Sequence, residues 1–263
     1  MKIVIIGGTG LIGSKLVTRL LQHGHEAVPA APGTGVNTLT GEGLSRALDG
    51  ADVVVDVSNS PSYAEGPAME FFETSTRNLL AAEAAAGVAH HVALSVVGTE
   101  RLSESAYFRA KIVQEYLVAR SGIPWSIVRA TQFFEFLDRL AAAATVGDSI
   151  RLAPVAFQPM GADDVARIVG QVSVGPPLNR MIEVAGPQEF RLDQLFRDWL
   201  RDREPPREVV TDPGARYFGA HLEERTLVPE DGARMGELRL EEWTAQLDSL
   251  SGRPPRQEFL FTR

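Results

Sequence analysis

The stretch "KIVIIGGTGLIGSKLVTRLLQHG" constrains the chain more than any other. "KIVIIG" reads as a buried strand. Ile12, Leu16 and Leu20 then fall on one helical stripe, with Val17 and Leu21 beside it and Gly24 as a natural stop. Between strand and helix lie Gly7, Gly10 and Gly13, spaced G-x-x-G-x-x-G. Gly7 permits a tight turn, Gly10 lets backbone amides approach a pyrophosphate, and Gly13 lets the helix lie close on the strand. A glycine triplet in that context predicts a dinucleotide site, with Thr9, Leu11 and Ile12 completing its contacts. Lys15, one turn into the helix, reads as a solvated surface charge.

The first half continues to alternate short apolar runs with helical patterns, which predicts βαβ units and a parallel sheet. "EAVPAA" is a second strand interrupted by Pro29, "GLSRALDG" a short helix and "ADVVVDVS" a central strand. "AMEFFETSTRNLLAAEAAAG" is a long helix ended by Gly87, and "HHVALSVVG" the next strand, merely opened by His90 and His91. A helix to about Ser121, the strand "IPWSIVRA" and the helix "FFEFLDRLAAAA" follow. Beyond about residue 146 elements become shorter: helix "ADDVARIVGQV", strand "MIEVAG", helix "RLDQLFRDWLRDR" and helix "LEEWTAQL". Asp163 and Asp164 read as N-terminal capping and dipole charge, and "RDREPPRE" as a solvated turn. The expected fold is α/β, a Rossmann-type doubly wound parallel sheet with a small C-terminal substrate lobe. Residues 1–146 would form the dinucleotide-binding core, and 147–263 the remaining elements and the lobe, as one continuous unit.

Composition excludes several classes. The chain has no cysteine, so disulfides, thiolate metal sites and cysteine nucleophiles are out, and its five histidines show no ligand spacing, so no metal is expected. A net charge of -8 without a basic run argues against nucleic-acid binding. The opening apolar run is too short for a signal peptide, and none approaches a membrane span. A soluble cytoplasmic protein acting on a small-molecule substrate is expected. Oligomeric state is unreadable.

Cofactor choice is written after the second strand, where NAD proteins usually carry a carboxylate and NADP proteins an arginine. "AAPGTG" (30–35) carries neither. Without a repelling carboxylate, Ala31, Thr34 and the loop amides favour NADP over NAD. Chemistry is suggested by "SAYFRAK", where Tyr107 and Lys111 share a helix face. With 4 tyrosines in the chain and lysine only at Lys2, Lys15 and Lys111, that spacing arises by accident about 0.05 times. A phenol whose pKa is lowered by an adjacent ammonium can protonate a carbonyl that accepts hydride. Ser95, twelve residues upstream at a strand end, would hold the carbonyl oxygen.

"GGTGLIG", the Ser95/Tyr107/Lys111 set, "SGIPWSIVRATQFFEF" and "ADDVARIV" together resemble the atypical, NmrA-like branch of the short-chain dehydrogenase/reductase superfamily, over most of residues 1–190. The resemblance implies an NAD(P)-dependent oxidoreductase acting on a carbonyl or alcohol, with Ser95, Tyr107 and Lys111 catalytic and Lys111 also bonding the nicotinamide ribose. It puts a further polar position near Ser58 and Asn59; an Asn before Ser-Pro is also a turn former. Some relatives bind the dinucleotide only as redox sensors, and a lyase or epimerase (or dehydratase) using the nicotinamide transiently is the other alternative. Phe133, Phe134 and Phe136 either line an apolar substrate pocket or pack between sheet and lobe.

Overall fold

A computed structural model describes residues 1–201 and 207–251. The centre of "RDREPPRE", 202–206, lies outside the described residues. In the first half the elements are β1 (Lys2–Ile6), α1 (Leu11–Gln22), β2 (Glu26–Ala30), α2 (Leu44–Leu48), β3 (Val53–Asp56), α3 (Glu65–Ala86), β4 (His90–Val96), α4 (Ala106–Ala119), β5 (Trp125–Ala130) and α5 (Leu137–Ala143). The second half adds β6 (Thr145–Val146), β7 (Ser149–Leu152), β8 (Ala156–Phe157), α6 (Ala162–Val174), β9 (Arg180–Ala185), β10 (Phe190–Arg191), α7 (Leu192–Leu200), β11 (Glu208–Thr211), β12 (Arg234–Met235) and α8 (Leu240–Ser251).

Seven strands form one sheet in the order β12-β9-β5-β4-β3-β1-β2, every pair parallel. The Rossmann-type α/β expectation is borne out. Strand β1 explains why helices cover both faces. Ile3 and Ile5 face α1 and α6, joining Leu16, Leu20 and Val169, while Val4 and Ile6 pack on the other side with Leu44, Leu48 and Leu79. Each fully buried aliphatic side chain contributes roughly 1.5–3 kcal/mol, so a strand apolar at every position is stable only between two helical layers. Pro29 is tolerated because β2 is the sheet's edge.

The strand order reverses between β1 and β3. Their carboxyl ends diverge there, which opens the crevice where such sheets bind ligands. Strands β9 and β12 carry the same sheet into the second half. The short strands β6, β7, β8, β10 and β11 were not legible in the sequence; they pair only in a two-stranded and a three-stranded patch. Phe157, Phe196, Trp199 and Trp243 anchor the core beneath them.

Two local expectations change. Helix α6 begins at an N-cap Gly161 without a side-chain cap. The Glu135 carboxylate accepts from Ala162 N (3.1 and 3.2 Å) instead, and Asp164 accepts from Glu237 N and Leu238 N, tying the C-terminal segment down. Lys15 is ion-paired with Asp163 at 2.9 Å rather than simply solvated.

Candidate functional site

One cavity of about 860 Å³ runs from the glycine loop across the carboxyl ends of the strands. At one end it is lined by Gly7, Thr9, Gly10, Leu11 and Ile12, and farther along by Ala31, Ser58 and Asn59. Ser95, Tyr107, Lys111 and Phe133 line it as well. Residues more than a hundred positions apart in sequence are thus brought to one cavity.

The glycine loop is closed by backbone contact that any side chain would prevent. Gly7 has φ +78° and sits against Ser58, so a Cβ there would lie 2.9 Å from the Ser58 backbone. A Cβ on Gly13 would come within 2.2 Å of Gly7 O. Gly13 therefore does not touch the cavity; it lets α1 start directly beneath the loop, with its N-terminal amides toward the crevice. That cradle fits a pyrophosphate.

Ser95, near the end of β4, is 3% exposed and its Oγ has no hydrogen-bond partner among the described residues. Placed on the cavity wall, this hydroxyl can donate to a polar group bound there. Tyr107 is also buried, and its hydroxyl donates to Asn59 Oδ1 at 2.9 Å. Asn59 thus engages the phenol while also accepting from Ser60 N at 3.0 Å.

Lys111 differs from the sequence expectation in its partners. Its ammonium donates to Leu94 O at 2.9 Å and to Gln114 Oε1, and it lies 4.6 Å from the centre of the Phe72 ring. Gln114 Nε2 in turn donates to Asp56 Oδ2 at 2.9 Å, and Asp56 Oδ1 accepts from Ser58 N and Oγ at 2.9 and 2.6 Å. A buried chain Lys111–Gln114–Asp56–Ser58 thus ties the ammonium to the end of β3. Burial lowers the Lys111 pKa to about 8, against the opposing pull of the Asp56 and Glu115 carboxylates. Tyr107, by contrast, has its pKa pushed up, first by burial and then by Tyr63. The expected lowering of the phenol by Lys111 is therefore corrected. The helical spacing is right, but the ammonium is anchored on the strand and on Gln114.

Two further assignments are corrected. Thr34 does not line the cavity: its hydroxyl accepts from Ala31 N and is spent on Pro29 O and Ala31 O, closing its own turn. Asn37, Thr38 and Leu39 line that end in its place. Phe134 is buried against Trp243, ring centres 5.4 Å apart, so the packing alternative holds for it, whereas Phe133 and Phe136 line the cavity. His90 and His91 open β4 and pair with Ser126 and Glu83.

Sequence reasoning missed Asp56 and Gln114; it also passed over Arg46, which lies outside the cavity lining. Asp56 was visible as a carboxylate inside an apolar strand, and Gln114 as a polar residue one turn beyond Lys111 on the same face. Arg46, on α2, has its guanidinium beside Gly35, where a Cβ would be 3.5 Å from Nη2. Among the described residues it makes no hydrogen bond or ion pair. The other charge cluster near α4, Arg129 with Glu115 and Glu100, is internally compensated.

A switch-point crevice, a glycine cradle and an unpaired buried hydroxyl on one cavity define a dinucleotide-binding Rossmann protein. The residues present fit NAD(P). A family model described as NAD(P)H-binding matches residues 34–170, just over half of the chain and entirely beyond the glycine loop. The chain belongs to this NAD(P)H-binding family, in keeping with the NmrA-like resemblance of its motifs.

Over 144 residues it is 33% identical to a (4-alkanoyl-5-oxo-2,5-dihydrofuran-3-yl)methyl phosphate reductase of Streptomyces griseus, covering 50% of this chain and 48% of that protein. It is 25% identical over 151 residues to the photosystem II assembly factor Ycf39 of Cyanophora paradoxa, covering 52% and 47%. The chain thus spans about half the length of the curated relatives it matches. Its fold is similar to that of a short-chain dehydrogenase/reductase superfamily protein from Agrobacterium tumefaciens with bound NAD, at TM-score 0.70 and 20% identity over 96% of this chain and 100% of that one. No helix among the described residues is long and apolar enough to cross a membrane.

Proposed function

We propose that the protein is an NAD(P)-dependent reductase of a small-molecule carbonyl. The observation that carries this reading is the single cavity whose wall joins Ser95, Tyr107 and Lys111 to the glycine loop. The reductase among the relatives supports it, since that protein shares the matched half of this chain.

A bound nicotinamide supplies the hydride. The chain's residues manage the oxygen that receives the proton. Ser95 Oγ–H donates to the carbonyl oxygen and holds it in line. Tyr107 gives up its bond to Asn59 and donates its proton to the same oxygen as negative charge develops there. Burial holds this phenol in its protonated form, the form that donates. Lys111 has three donors, two of them spent on Leu94 and Gln114; the third would hold a ribose hydroxyl of a bound dinucleotide, and the charge would stabilise a developing alkoxide.

This role makes activity depend on a protonated Lys111. Turnover should fall about tenfold per unit as pH rises beyond about 8. Asp56 opposes the effect of burial, so Asp56→Asn should move that limb to lower pH. A pH–rate profile of both proteins checks it; a limb that stays in place would remove Asp56 from the account.

The cofactor is NADP. No carboxylate follows β2 to repel a 2′-phosphate, and the Arg46 guanidinium beside Gly35, unpaired among the described residues, would reach it from outside the cavity lining. Arg46→Ala should weaken NADP binding about tenfold and leave NAD unchanged. Parallel titrations with the two dinucleotides test this directly.

A further inference from the structure

The cavity lining also holds an aromatic pair and an arginine that no carboxylate pairs among the described residues. Tyr63 and Phe218 stack there, ring centres 5.0 Å apart at 26°, and Tyr63 also touches Tyr107 at 5.1 Å. Phe218 reaches this position at a backbone cost. It has φ +47° and is followed by Gly219 at φ +90°, in a tight turn closed by hydrogen bonds between Tyr217 and Ala220 of 2.8 and 3.0 Å. That is the turn geometry in which Asn-Gly is the favoured pair and a bulky first residue is strained. Strain of this kind persists where it places a side chain for use. What it places here is a ring on the cavity lining, joined to the Tyr107 ring through Tyr63.

The charge is Arg139, on α5. Lys111 is anchored on Leu94 and Gln114, and Glu135 accepts from Ala162 N and Trp243 Nε1. Arg139 also lines the cavity, but among the described residues its only partner is the Phe136 ring, 5.4 Å away. Its neighbour Leu140 lines a second crevice together with Tyr217 and Phe218, which puts α5 beside the strained turn.

We propose that this part of the cavity receives a flat conjugated carbonyl compound bearing an anionic group, its ring against the Tyr63–Phe218 pair and its anion on Arg139. The proposal rests on the reductase reading for the carbonyl, but the recognition of ring and anion is independent of hydride transfer. Arginine over an aromatic face is held ready for a carboxylate or phosphate, which it can bond through two N–H groups at once.

The probes are 6-acetyl-2-naphthoate and its methyl ester, which share one ring system and differ by the charge. Their binding to the NADP⁺-loaded protein is read by naphthalene fluorescence. The acid should bind about tenfold more tightly than the ester. Arg139→Gln should erase that difference without changing ester or NADP⁺ affinity, and Phe218→Asn, which suits the turn, should weaken both probes alike. Equal binding of acid and ester, no binding of either, loss of NADP⁺ rather than probe affinity in Arg139→Gln, or unchanged binding in Phe218→Asn would each overturn the proposal. If the binding pattern holds but neither probe is reduced by NADPH, the reductase reading falls for these ligands and the recognition site stands.

Discussion

Tyr107→Phe lowers turnover by about 10²–10⁴-fold and leaves dinucleotide affinity unchanged, because the substitution removes only the group that donates the proton. Among the described residues the hydroxyl makes one hydrogen bond, to Asn59 Oδ1. The ring itself is held by edge contacts with Phe72 and Phe108, which phenylalanine keeps. Asn59 Oδ1 still accepts from Ser60 N after the change, so no buried acceptor is orphaned and the fold tolerates the variant. Steady-state kinetics with NADPH, beside a binding titration, separate the two effects. Unchanged turnover would assign proton donation elsewhere and leave Tyr107 as a packing residue.

The second large effect is at the glycine loop. Gly13→Ala abolishes dinucleotide binding, with affinity lost by about a hundredfold or more. Helix propensity alone predicts the opposite sign for stability, since alanine exceeds glycine by roughly 1 kcal/mol inside a helix. Sterics decide the matter. The new Cβ would sit 2.2 Å from Gly7 O and 2.6 Å from Gly8 Cα, both of them backbone, so the loop must open or α1 must shift. Overpacking of this kind costs about 1–3 kcal/mol and spoils the cradle that gathers the loop amides. Gly10→Ala is the informative partner. Its Cβ would meet only Gly7 O, at 3.2 Å, so the fold survives while the cradle is filled. Thermal melting and NADP titration of the two variants distinguish them: Gly13→Ala should lose both stability and binding, Gly10→Ala chiefly binding.

Much of this architecture was legible because its signals are local. A strand apolar at every position, a glycine loop and an amphipathic helix each announce themselves within about ten residues, and their order dictates a parallel sheet with two helical layers. The site was legible to the same extent. Ser95 ends a strand and Tyr107 and Lys111 share a helix face, so spacing alone brought them forward. Spacing could not tell where the Lys111 ammonium points. Its anchors, Leu94 O and Gln114, are set by how α4 lies against β4. Thr34 was misread because a short turn consumed its hydroxyl, and the two readings of Phe134 stayed open because nothing in "TQFFEF" says which ring faces Trp243. The strained turn at Phe218, more than a hundred residues from Tyr107, carries no pattern that links it to the cavity. Tertiary closure alone puts it there.

The central claim is that this cavity transfers hydride rather than merely binding a dinucleotide. Incubation with NADPH deuterated at the transferring nicotinamide carbon, over a panel of ketones, tests it most directly. Deuterium on the carbinol carbon of an alcohol product is expected from the native protein. Tight dinucleotide binding with no deuterium in any product would contradict it.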